Sequence, residues 1–94
     1  MKETERIKRI NAKLDKHFKS NNGAWWVSNG GFSDSHIIEL HRGAGGNRIK
    51  AVSAAKYILE TEKSVNIVHY GGMCMIYTRE SVKGYAPRKK KVRV

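Results

Sequence analysis

Ile7, Ile10, Leu14 and Phe18 recur at intervals of three and four residues, a repeat that gathers apolar side chains on one stripe of an α-helix and matches no strand of period two. The spacing predicts an N-terminal amphipathic helix over residues 4–19. Thr4 stands where a capping hydroxyl is wanted, Glu3 and Glu5 oppose the positive end of the helix dipole, and Lys16 and Lys19 lie near its negative end. Asn21-Asn22-Gly23 then stops the helix. At about 100° per residue, Lys2, Arg6, Arg9, Lys13 and Lys16 gather opposite the apolar stripe. The helix therefore has a core face and a cationic face.

That cationic face belongs to a basic chain. Nineteen Lys and Arg against eight Asp and Glu give a formal charge of +11 over 94 residues. Such an excess raises self-repulsion without helping the fold, and an acidic partner compensates it. Helical pairs such as Glu5 with Arg9 and Asp15 with Lys19 are worth only about 0.2–0.5 kcal/mol each, so most of the positive field survives. The length corresponds to one domain with a modest core.

After the helix, Ala24–Val27 reads as a strand and Ser28-Asn29-Gly30-Gly31 as a turn. Adjacent Trp25 and Trp26 in an extended chain point to opposite faces, so a one-sided core takes only one of them. The other closes a second cluster or offers a flat ring for base stacking. His36–Arg42 and Asn47–Val52 read as two strands joined by Gly43-Ala44-Gly45-Gly46, a hairpin whose loop, flanked by Arg42 and Arg48, is a candidate phosphate nest. No Walker-type Gly-Lys-Ser or Gly-Lys-Thr follows it. A second helix is expected over Ser53–Lys63, with Ala54, Ala55, Ile58 and Leu59 on its apolar face and Ser53 as its cap; a start as early as Arg48 also fits the arc.

The stretch GAGGNRIKAVSAAKYIL resembles the end of a double-stranded RNA-binding domain, where glycines precede basic residues, a helix N-terminus and paired alanines. Arg48 and Lys50 stand near that motif's basic residues and Ala54-Ala55 near its alanines. The spacing is one residue off, the adjacent lysine pair is missing, and two further strands follow where such a domain ends. Membership does not follow from it.

Ser64–Tyr70 and Met73–Ser81 flank Gly71-Gly72, the pattern of a two-residue hairpin. Counting outward from that turn puts Val65, Ile67, His69, Cys74, Ile76 and Thr78 on one face and Asn66, Val68, Tyr70, Met73, Met75 and Tyr77 on the other. Either helices sandwich this hairpin or its Tyr and Met face is open, with Tyr70 and Tyr77 as a platform for something flat. The chain ends in KGYAPRKKKVRV, where Lys83, Arg88, Lys89, Lys90, Lys91 and Arg93 form a cationic arm, with a solubilising tail as the plainer reading.

Catalytic and metal signals are weak. His17, His36, His41 and His69 have no familiar ligand spacing, and Cys74 lacks a cysteine partner for zinc or a disulfide. No catalytic residue, metal or cofactor is assigned. No apolar run approaches the roughly 20 residues that span a bilayer, and no secretory pattern follows Met1-Lys2-Glu3, so the expected location is the cytoplasm or the nucleoid.

These readings add up to an α+β fold: N-terminal helix, two or three antiparallel strands, second helix, C-terminal hairpin and basic tail. Residues 1–82 form the compact domain and 83–94 the arm. The expected function is non-enzymatic binding of DNA or RNA, largely without sequence preference. Arg6, Arg9, Lys13, Lys16, Arg42, Arg48, Arg88, Lys89, Lys90, Lys91 and Arg93 are the phosphate contacts, and Trp25, Trp26, Tyr70 and Tyr77 the stacking rings. The alternative is a phage- or mobile-element-type inhibitor or accessory protein that binds a nucleic-acid-processing enzyme through acidic surface, and a homodimer is conceivable.

Overall fold

The apolar stripe forms the element its spacing predicts. In the computed structural model, which describes residues 5–19, 23–43 and 49–85, helix α1 runs Glu5–His17 with Ile7, Ile10 and Leu14 fully buried. Each such side chain contributes about 1.5–3 kcal/mol when taken out of water, so these three seat the helix. Phe18 packs against the same core just beyond the last turn.

Over the described residues the protein is a small α+β domain of three helices and one four-stranded mixed sheet. Strands β1 (Trp25–Ser28), β2 (Ile37–Arg42), β3 (Ile67–Tyr70) and β4 (Met75–Thr78) lie in sequence order across the sheet. The outer pairs are antiparallel, whereas β2 and β3 run parallel. Parallel neighbours require a crossover, and helix α2, Ala51–Thr61, provides it. This corrects the expectation of antiparallel strands throughout and of a strand over Asn47–Val52. Residues 44–48 lie outside the described segments, and from Ala51 the chain is helical.

Helix α2 begins ahead of Ser53. Its N-cap is Lys50, which makes no side-chain cap bond, while Ser53 sits inside the first turn with its Oγ 3.4 Å from the Tyr85 hydroxyl. Ala51 and Val52 prolong the apolar arc and pack against the core, which draws the start back. The Lys50 carbonyl accepts from the N–H groups of Ser53 and Ala54.

The C-terminal pair does form a hairpin, with a longer connection than two residues. A 3-10 turn at Gly71–Met73 and Cys74 in the left-handed region (φ 54°) join the strands, so Tyr70 pairs with Met75 rather than Met73. Gly71 packs directly against the Glu39 carboxylate, which would have to swing aside for a Cβ at this first position of the turn. The slip is two residues, which preserves face parity. Strand β4 ends at Thr78 because Thr78 and Ser81 form a reciprocal capping box that opens the short helix α3, Arg79–Val82.

One face of the sheet is buried under the helices. Trp25, Val27, Ile38, Leu40, Val68 and Tyr77 share that core with α1, α2 and Val82. The opposite face carries Trp26, Ser28, Glu39, His41, His69 and Ile76, with Phe32 folded edge-on over His69 at 5.7 Å. The hairpin is thus covered by helices on a single side, and its Tyr face is the covered one. At the β1 edge, Asn11 of α1 acts in place of a neighbouring strand: its Nδ2 donates to the Val27 carbonyl (3.2 Å) and its Oδ1 accepts from the Val27 N–H (2.8 Å).

Candidate functional site

Of the five cations expected to form an open face on α1, Lys2 lies outside the described residues and three of the other four are engaged within the protein. Arg9 grips Glu62 with two bonds, Nε to Oε2 at 3.0 Å and Nη2 to Oε1 at 2.8 Å, and Lys13 Nζ donates to Oε2 at 2.8 Å. Arg6 donates to the Ser64 hydroxyl at 3.2 Å. The Glu62 side chain is 6% exposed. The Arg9 guanidinium foremost, against the opposing effect of burial and with help from Lys13, holds the carboxyl down to about 2. The same carboxylate raises Arg9 above its ordinary value. Only Lys16 of this set is exposed with no bonding partner among the described residues.

Arg79, absent from the sequence candidates, closes the far end of α2. It donates to the carbonyls of Leu59 (3.1 Å), Glu62 (3.2 Å) and Lys63 (3.3 Å) and to Asn66 Oδ1 (2.8 Å). The last carbonyls of a helix lack intrahelical partners, and a guanidinium satisfies several at once. Lys56 donates to the Tyr85 carbonyl at 2.6 Å, which ties the chain beyond α3 back to α2.

The rings divide sharply. Trp25 is 3% exposed and Tyr70 and Tyr77 9% each, so all three are core residues. Burial, with Tyr70 adding to it, pushes the Tyr77 phenol above its ordinary value. This corrects Trp25, Tyr70 and Tyr77 as open stacking platforms, because strand parity turns them toward the helices. Trp26, at 40%, is the Trp on the open face. Its indole stacks on His41 of the paired strand, with centroids 4.2 Å apart and planes 17° from parallel.

Trp26 also walls two depressions. One, about 490 Å³, runs across the end of the sheet past His41, Arg42, Gly72 and Met73, with buried Tyr70 at its floor. The other, about 450 Å³, lies beyond the β1 edge between α1 and the 29–31 turn. A third depression of about 290 Å³ adjoins the first and brings Lys50 and Ile49 beside Arg42. Arg42 and Lys50 are exposed and have no ion-pair partner among the described residues. The N-terminus of α2 opens here too, with no acidic residue in its first turn.

The centre of the open face holds a polar group. Glu39 lies 3.5 Å from His69 Nδ1 and 3.9 Å from His41 Nε2, and His69 Nδ1 makes no hydrogen bond. Ser28 Oγ is 2.8 Å from that same His41 Nε2. A nucleophile–base–acid relay needs the hydroxyl and the carboxylate on opposite ring nitrogens, so this cluster does not form one. Among the described residues no group of three or more His, Cys, Asp or Glu is placed to hold a metal ion, and no helix is long and apolar enough to cross a membrane. Arg48, Arg88, Lys89, Lys90, Lys91 and Arg93 lie outside the described residues. Comparison with known proteins finds no matching family model, no matching curated protein and no matching solved structure.

Proposed function

We propose that the protein binds nucleic acid, gripping phosphates largely without sequence preference, in the cytoplasm or at the nucleoid. The observation that carries this reading is the meeting, at one end of the sheet, of exposed Trp26 with Arg42 and Lys50, two uncommitted cations on a chain of net charge +11. Phosphate neutralisation by such cations supplies most sequence-independent affinity. Lys16 adds to the surface from α1, while Arg9 and Lys13 serve first to join α1 to Glu62 at the end of α2, and Arg6 to Ser64 just after it. In this reading residues 83–94 are an arm on the 1–82 domain, its first residues held to α2 through Tyr85, and Arg88, Lys89, Lys90, Lys91 and Arg93 extend the phosphate contacts, as does Arg48.

Labelled single- and double-stranded DNA and RNA titrated across a salt series test it. Each phosphate contact adds about 0.7–0.9 to the log–log slope, so a steep slope is expected. Negligible affinity for all four at about 50 mM salt refutes the proposal. Deleting the chain after Ala86 lowers the affinity and flattens the slope if the arm works as stated.

A second reading, an inhibitor or accessory protein that docks on a nucleic-acid enzyme, is favoured by the exposed Met73, Met75 and Ile76 at the β4 edge. A stoichiometric protein partner that survives nuclease treatment would support it.

A further inference from the structure

We infer that the groove beyond the β1 edge takes one unstacked nucleobase, which makes single-stranded nucleic acid the preferred target; this rests on the nucleic-acid reading above. An indole has two faces, and His41 covers one of those of Trp26. Trp26 lines both depressions whereas His41 lines only the one at the sheet end, so the groove against α1 is bordered by indole that His41 does not cover. The groove encloses about 450 Å³, within the range of small-ligand clefts. Ile7 and Val27 give it an apolar floor, and the Gly30-Gly31 turn, with both φ angles positive, forms its outer lip.

The polar groups of the groove are already committed. Asn11 spends both ends of its amide on Val27. Ser28 Oγ bonds His41 and accepts the Gly30 N–H at 3.1 Å, and Asn29 is engaged within the protein as well. With the Asn11 and Ser28 side chains engaged within the protein, what the groove chiefly offers is a π-face, the chemistry of sequence-tolerant stacking. No charged side chain lines it, whereas exposed Lys8 follows Ile7 on α1 and Arg42 lies on the other side of the indole. A base inside, with Arg42 beyond the indole as a phosphate contact, suits a strand whose backbone runs past Trp26 toward the sheet end. A duplex keeps its bases paired and stacked and presents none to the groove.

The test compares oligo-dT, oligo-rU, an abasic oligomer of the same length and charge, and a duplex of that length, each titrated against the full chain and against Trp26→Ala and Trp26→Phe. Base–aromatic stacking of about 1–3 kcal/mol corresponds to roughly 5- to 150-fold in affinity. Trp26→Ala should lose about that factor on at least one of the two single strands, leave the abasic oligomer and the duplex within about twofold, and be largely rescued by Trp26→Phe. Thermal unfolding confirms that the variants fold. If the abasic oligomer binds as tightly as oligo-dT and oligo-rU, or Trp26→Ala weakens all four probes alike, the groove holds no base while nucleic-acid binding itself stands. If none of the four binds, the nucleic-acid reading falls with it.

Discussion

Replacing Glu62 with glutamine keeps the side chain's shape and removes the charge that Arg9 and Lys13 converge on. The carboxyl lies at about 2 in the folded protein against an ordinary 4.5, and each pH unit of displacement is worth about 1.36 kcal/mol, which sets a ceiling of about 3.4 kcal/mol. Arg9 is 52% exposed and Lys13 33%, so water and salt screen the attraction. About 2 kcal/mol at pH 7 is the expected loss, or roughly 8–16 °C in Tm for a chain of this size. A carboxyl held below its unfolded value stabilises the fold fully above about pH 4.5 and loses that contribution as pH falls toward about 2. The remaining carboxylates titrate in both proteins and cancel. Urea unfolding of wild type and Glu62→Gln at steps from pH 7 to 2 should therefore show a stability gap that is constant down to about pH 4.5 and closes by about pH 2. A gap below about 0.5 kcal/mol at pH 7, or one that does not narrow in acid, refutes the reasoning.

Other perturbations read other parts of the molecule. Asn11→Ala strips both backbone partners from buried Val27 and should cost about 1–3 kcal/mol in chemical denaturation. Gly30→Ala places a Cβ at φ +61°, against the Glu39 and Phe32 side chains; a loss of at least about 1–2 kcal/mol is expected, whereas Gly31→Ala, which meets open space, should lose only the backbone strain. Arg42→Ala combined with Lys50→Ala should reduce the salt dependence of nucleic-acid binding by up to about two contacts, leaving Tm within a few degrees. An unchanged slope would remove the sheet end from the interface.

What the sequence disclosed follows from how local each signal was. The α1 stripe needs only its own four residues, and the hairpin faces survive a misplaced turn because parity is unchanged by a slip of two. The parallel pairing of β2 with β3 depends on where α2 delivers the chain, and the Gly43–Gly46 run read alone suggests a return strand. That one Trp turns inward was legible, but which one was not, because strand alternation does not say which face the helices cover. Arg9 and Lys13 looked free because their partner is 53 and 49 residues away. A clue was nonetheless present: Glu62 continues the Ala55, Ile58, Leu59 stripe of α2, and an acid on an apolar stripe calls for a buried cation partner.

The Asn11 amide also limits what the sheet can become. An edge strand with open backbone groups is a template for another chain, and protection at both ends is the common defence against unlimited growth. Here the ends differ. β1 has its central residue closed by a side chain from α1, while the β4 side, from Gly71 to Thr78, carries no charge, no proline and three exposed apolar side chains. Among the described residues nothing pairs with the outer side of β4, so two copies meeting β4 to β4 would leave their closed β1 strands outermost and strand addition would stop at a pair. Without Asn11 each copy would have two extendable ends, the condition under which a pairing chain propagates into a fibre.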